Sequence, residues 1–284
     1  MIKKVLLGAS FLLLFAGCAG QTKEQEEKTA AATTAPNAET TPSTTVQQQE
    51  AKPKEIEVPE PYSIALKKIE AGDLDTALTY LDFTIDDFKD SPYVYNAQLL
   101  KSVLHTGKAS VALELGLIIG KGTEKGKTLY SSSDINRLKK KFDETKKEMT
   151  DQIDLLAEPA KYTLENYSAV RDQIQMKKIT VKNLPSEINL DFYASVGYPI
   201  PTDAEFDAYI KNNYIREVSL NLNTIFQEDK IIFPDYFYIT GSQLYKQDKA
   251  LTKQFFEKII EITENDKYNE ARILAQEDLN KKFK

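Results

Sequence analysis

The chain has 284 residues, with 43 acidic against 37 basic side chains, a formal net charge of −6, one histidine, one cysteine and no tryptophan. The acidic balance argues against nucleic acid as a partner and against a basic surface that grips anionic lipid. One cysteine excludes a disulfide within the chain, and one histidine beside it falls short of the several nitrogen and sulfur ligands of a usual zinc site.

Lys3 and Lys4 precede an almost wholly apolar run, Val5–Phe15, followed by the small residues Ala16 and Gly17. This is the charged, apolar and small-residue order of a secretory signal. The run is about half the ~20 residues that a transmembrane helix needs. The residues Leu14-Phe15-Ala16-Gly17-Cys18 resemble the lipobox of bacterial lipoproteins, with Phe15 where that family usually has Leu, Val or Ile. The resemblance implies cleavage before Cys18 and a diacylglyceryl group on its sulfur, often with a third chain on its amine. The alternative is an ordinary secretory peptide cut near Ala16 or Ala19, which leaves a free thiol. Two acyl chains give stable anchoring. The expected location is therefore the bacterial cell envelope, lipid-anchored on the extracytoplasmic side of a membrane. Loss of Lys3 and Lys4 with the signal leaves the mature side chains at −8.

Residues 19–60 are mostly Thr, Ala, Gln, Glu, Lys and Pro, with Val46, Ile56 and Val58 the only large apolar side chains. Such a composition cannot bury enough surface to fold, and a disordered tether is expected. About 40 residues give a coil of ~35 Å and a taut length of ~130 Å.

From Pro61 the sequence becomes periodic. Tyr62, Ala65, Leu66 and Ile69 fall on one helix face, and Ala71-Gly72-Asp73 supplies a break and a cap. Leu74, Ala77, Leu78, Leu81, Ile85 and Phe88 make a second stripe. Ser91-Pro92 reads as a helix start, with Ser as cap and Pro where its missing N–H is harmless. Tyr93, Ala97, Leu100 and Leu104 form a third stripe that Thr106-Gly107 is expected to end, with Ala109, Ala112 and Leu113 opening a fourth.

Gly72 is followed five residues later by Ala77-Leu78, and Gly107 by Ala112-Leu113, at an offset of 35 residues. This resembles the tetratricopeptide repeat, a helix–turn–helix unit of about 34 residues. The resemblance implies turns at Gly72 and Gly107, close helix contact at Ala77 and Ala112, and a hand-over to the next unit at Pro92. The first unit lacks that family's aromatic and glycine pair, and the second lacks its terminal proline.

Ser131-Ser132-Ser133-Asp134 supplies caps for a long amphipathic helix through Ile135, Leu138, Phe142, Met149, Ile153 and Leu156. Pro159 is expected to end or kink it. Ala160, Leu164, Tyr167, Val170 and Ile174 carry the stripe on to about Lys178. The segment predicts a long antiparallel pair or one kinked helix, with an intermolecular coiled coil as the sharper alternative. Thr202-x-x-Glu205 reads as a capping box before Phe206, Tyr209, Ile210 and Tyr214. Tyr236–Tyr245, Lys249–Thr263 and Tyr268–Phe283 read as three closing helices, similar either to a further repeat or to a generic hairpin. The aromatics of 192–245 follow helical spacing, which favours a core over a peptide or glycan groove.

Gly120–Thr128 resembles a phosphate loop, but Lys121 stands where its first glycine is needed, so a flexible loop without nucleotide is expected. His105 is read as packing near a helix end or capping its last carbonyls. The carboxylates fall on polar helix faces.

The expected fold is all-α: tetratricopeptide-like hairpins forming an α-solenoid, with a long amphipathic helical segment, behind a disordered tether. The expected organisation is a signal peptide over 1–17, the acylated cysteine and tether over 18–60, repeats over 61–122, the long helical segment over 123–180, and an aromatic-rich region over 181–284. No catalytic residue, metal or cofactor is assigned, and the chain is expected not to be an enzyme. A non-catalytic adaptor or scaffold of the envelope is expected, bound to a membrane through Cys18 and to a protein or peptide partner. In layout it resembles envelope-assembly lipoproteins that carry tetratricopeptide repeats. The alternative is a ligand- or glycan-binding surface lipoprotein.

Overall fold

Helix caps and apolar stripes divide the chain into segments that the folded protein joins along a long central pair. The computed structural model describes residues 57–125, 132–174, 176–188 and 202–283, all within one compact unit, Glu55–Lys284. The signal-like run, Cys18, nearly all of the tether and the aromatics between 192 and 201 lie outside the described residues.

Helix α1 (Glu60–Ala71) starts at Pro61 and buries Tyr62, Ala65 and Ile69, the expected face. It ends in a left-handed residue, Gly72, at φ 77°. The Gly72 N–H donates to Ile69 O at 3.0 Å and the Asp73 N–H to Lys68 O at 2.9 Å. These are the two bonds of a Schellman turn, and a Cβ at that φ would be strained. The chain then reverses into α2 (Leu74–Asp87), which buries Leu74, Ala77 and Leu81. Ala77 is fully buried, as a close helix contact requires.

Helix α3 runs unbroken from Tyr93 to Lys125. The expectation of a turn at Thr106-Gly107 is therefore corrected. Gly107 lies in mid-helix, where a built Cβ would fall 2.7 Å from Val218 Cγ2. The glycine serves a helix crossing and not a reversal. With it falls the second repeat unit. Ala112 is buried in the same helix rather than in the second helix of a hairpin. Pro92 sits just before α3, where Ser91 Oγ accepts from the Tyr93 N–H at 3.3 Å. The loop expected at Gly120–Thr128 is corrected over its first part, since 120–125 belong to the last turns of α3. Glycine in a helix interior costs only about 1 kcal/mol each, which a long packed helix absorbs.

Helix α4 (Ser132–Glu165) continues through Pro159 instead of stopping there. The Pro159 carbonyl accepts the Thr163 hydroxyl at 3.0 Å. Asn166 breaks the helix, its Nδ2 donating to Tyr162 O at 2.9 Å, and the short α5 (Tyr167–Gln173) follows. Tyr95 pairs with Tyr162 and His105 with Gln152, so α3 and α4 run antiparallel. The long partner of α4 is thus α3, not the stripe of 160–178.

Helix α6 (Asp203–Ile225) opens with the expected capping box at Thr202 and Glu205. Arg137 bonds Asp203 and Lys141 bonds Asp207, equal steps that set α6 parallel to α4 and hence antiparallel to α3. A hairpin of two short strands, β1 (Phe226–Gln227) and β2 (Lys230–Ile231), leads into α7 (Phe233–Leu244). Then come α8 (Lys249–Ile262), capped by Asp248, and α9 (Glu270–Lys282), capped by Asn269. These are the three closing helices the sequence predicts. Among the described residues the protein is all-α apart from the small hairpin. An extended strap over 176–188 buries Met176, Ile179 and Val181 and is tied by the Lys182 N–H to Glu70 O at 2.8 Å. Arg216 on α6 holds its far end through Pro185 O.

Candidate functional site

The single histidine is the first residue to place. His105 is 5 % exposed, on the face of α3 turned to α4, with Nδ1 3.4 Å from Gln152 Oε1. It packs as expected, but in mid-helix, so it caps no carbonyls. Burial pushes its imidazole down to about 4, and Lys101 and Lys108 add to the effect. A neutral ring bonded to an amide is an element of the core.

His105 belongs to a row of buried polar groups between α3, α4 and α7. The Ser102 and Tyr236 hydroxyls lie 2.7 Å apart, and Ser102 also bonds Leu99 O. Outside this buried row, Gln243 Nε2 donates to the part-buried Ser110 Oγ at 2.9 Å, and Gln247 Nε2 to the exposed Asp154 Oδ1 at 2.9 Å. Burial raises the Tyr236 phenol to about 12, so it stays protonated and able to donate. Satisfied buried polar pairs of this kind fix helix register.

Two carboxyls are raised. Glu217 on α6 is pushed to about 7, first by burial and then by Glu114 on α3 and Glu187 on the strap, with Arg216 opposing. Asp235, in the first turn of α7, is pushed to about 6 by burial, with Glu270 adding. The two have different neighbours and do not form an acid/base pair. Among the described residues no group of three or more His, Cys, Asp or Glu is placed to hold a metal ion. Among the same residues no helix is long and apolar enough to cross a membrane.

Most of the described aromatics of the C-terminal region are core, whereas Tyr268 is exposed. Phe206, Tyr209, Tyr236, Phe237, Phe255 and Phe256 are fully buried, and Tyr214 nearly so. They pack against one another in tilted and edge-on pairs, as Phe237 does with Tyr167, Tyr236 and Phe255.

A cleft of about 450 Å³ lies elsewhere, where the loop after α2, the start of α3, the end of α4 and the end of α5 meet. Pro92 turns the loop into α3 and presents Tyr95. Helix α4, carried past Pro159, brings up Tyr162. The break at Asn166 then swings α5 round so that Asp172 and Gln173 close the rim, opposite Lys89 and Asp90. The Tyr95 and Tyr162 ring centroids are 6.2 Å apart and inclined at 33°. Partial burial raises the Tyr162 phenol, with Tyr95 adding. Asp172 is gripped by Arg171 at 2.7 and 3.2 Å, and that bond holds its carboxyl below the usual range. None of these side chains is singled out by periodicity, because the cleft joins positions about seventy residues apart.

Of the residues singled out in the sequence, Gly72, Ala77 and Pro92 shape the first hairpin and its exit. Gly107 and Ala112 lie farther along α3 and do not line the cleft, which Pro92 touches together with its cap residue Ser91. No protein-family model, no curated protein and no solved structure matches this chain.

Proposed function

We propose that the protein is a membrane-anchored adaptor of the bacterial cell envelope, held on the extracytoplasmic side through an acylated Cys18. The observation that carries this is the placement of the only cysteine directly after a short apolar run and two small residues. The polar stretch that follows is a tether, long enough at ~35 Å to lift the helical body off a lipid surface. The adaptor binds and does not catalyse, needs no cofactor, metal or nucleotide, and takes a protein or peptide partner. Helical hairpins suit that role, because an amphipathic helix or extended peptide docks along their faces. Large apolar side chains left on the surface, Phe83 at 46 % and Leu155 at 51 % among them, favour such contacts.

The hairpins α1–α2 and α7–α8 support a finer kinship with tetratricopeptide units. Each pairs two short helices through a tight turn, with a small residue at the contact. Gly241 on α7 sits where a Cβ would come within 2.9 Å of Phe255 Cβ on α8.

The test is crosslinking in intact cells that express the full chain, followed by recovery from the membrane fraction. One or more envelope proteins should be crosslinked reproducibly. Recovery of no protein above background counts against the adaptor.

A further inference from the structure

We propose that the cleft between Tyr95 and Tyr162 is a binding site for a neutral saccharide. The proposal goes beyond the adaptor reading and does not depend on Cys18 being acylated.

Its volume, about 450 Å³, lies within the ~300–1,000 Å³ of small-molecule sites. Its two aromatic rings come from different helices and pack as a tilted pair, with centroids 6.2 Å apart and planes inclined at 33°, so a ligand meets their outer faces and edges. A tyrosine face takes up the apolar C–H surface of a sugar while its hydroxyl meets polar groups. Lys89, Asp90 and Gln173 also line the cleft, and their side chains carry an ammonium, a carboxylate and a primary amide. Among the described residues these three side chains and both phenolic hydroxyls hold no hydrogen bond or ion pair. They offer donors and acceptors together, and each hydroxyl of a sugar is both.

Charge decides between ligand classes. Lys89 stands beside Asp90, and Arg171 neutralises Asp172 across a two-point bond. The rim therefore has no surplus of either sign. A phosphate or acidic peptide would need uncompensated cations, and a basic peptide uncompensated carboxylates. An apolar peptide segment would need an apolar floor, whereas here polar side chains predominate around the rings. An uncharged polyol, whose hydroxyls both donate and accept, suits a rim whose charges balance.

The experiment uses the full chain and a panel of neutral oligosaccharides built from glucose, galactose, mannose and N-acetylglucosamine. Binding is read by saturation-transfer NMR and calorimetry. Inorganic phosphate and a lysine-rich peptide serve as charged competitors. At least one saccharide should bind and be displaced by neither competitor. Tyr162→Ala should weaken that binding by about tenfold or more, and Gln173→Ala by about threefold, corresponding to ~1.4 and ~0.7 kcal/mol. Tyr268→Ala, on an exposed turn, should leave it unchanged. Gln173 is itself exposed, so its variant decides the matter if Tyr162→Ala does not fold. No saccharide signal at about 10 mM, far weaker than a useful site, would overturn the proposal. Undiminished binding by Gln173→Ala and Tyr162→Ala, or preference for either charged competitor, would do the same.

Discussion

Replacing Gly107 by alanine tests the crossing of α3 and α6 that replaced an expected turn. In an unpacked helix the change would stabilise by about 1 kcal/mol through helix propensity. Here the added Cβ would lie 2.7 Å from Val218 Cγ2 and 3.2 Å from the Val218 backbone nitrogen. Optimal carbon contacts are ~3.5–4.0 Å, so the new atom is about 1 Å too close. Valine in a helix holds one strongly preferred rotamer and cannot swing its methyl away. The nitrogen behind it moves only if α6 moves. Overpacking of this kind costs about 1–3 kcal/mol. The clash therefore outweighs the propensity gain, and Gly107→Ala should lose ~1–2 kcal/mol of stability. Urea unfolding followed by circular dichroism at 222 nm, with an unchanged slope, measures it. Val218→Ala removes the offending methyl groups, so the double variant should be more stable than the sum of the singles by ~1 kcal/mol. Stabilisation by Gly107→Ala alone would refute the close approach. Destabilisation with no coupling to Val218 would point back to a left-handed turn.

The two perturbed core groups titrate in opposite senses. His105, held at about 4 in the fold against 6.5 unfolded, contributes stability at neutral pH that is lost as pH falls from about 6.5 through 4. Glu217, raised to about 7 from 4.5, contributes stability at acid pH that is lost as pH rises from about 4.5 through 7. Each gap is worth ~3 kcal/mol at ~1.4 kcal/mol per pH unit, so the two nearly cancel between them. Glu217→Gln should be more stable than the parent at pH 8 and equal to it at pH 4, and thermal melts showing no such divergence would contradict the buried carboxyl. Tyr236→Phe should lower stability by ~1–2 kcal/mol, because the buried Ser102 hydroxyl loses its 2.7 Å partner; an unchanged melting temperature would show that the bond fixes nothing. Thr202→Ala should cost ~1 kcal/mol by leaving the start of α6 without its capping box, which chemical denaturation will resolve.

The elements that local chemistry decides were open to a reader of the sequence. Gly72 ends α1, Thr202 and Glu205 start α6, and the closing helices follow their stripes, because caps and periodicity act within a few residues. Gly107 misled because a glycine reads as a breaker until the neighbour it makes room for is known, and Val218 is more than a hundred residues away. Pro159 does not end α4, the first of its two expected outcomes, since packing of α4 along α3 outweighs the lost hydrogen bond. The buried polar row around Ser102 and His105 carries no hydrophobic signal at all. The cleft was invisible for a further reason: Tyr95 and Tyr162 lie off the apolar stripes and come together only when α3 and α4 are laid antiparallel.

The most direct measurement is mass spectrometry of the N-terminal peptide, from protein made in a bacterial host with its signal-like run intact. The predicted species begins at Cys18 and carries a diacylglyceryl group on the sulfur. Cys18→Ser should move the whole body from the membrane fraction to the supernatant. A mature chain with a free thiol at Cys18, or a Cys18→Ser protein that stays with the membrane, would contradict the anchored adaptor.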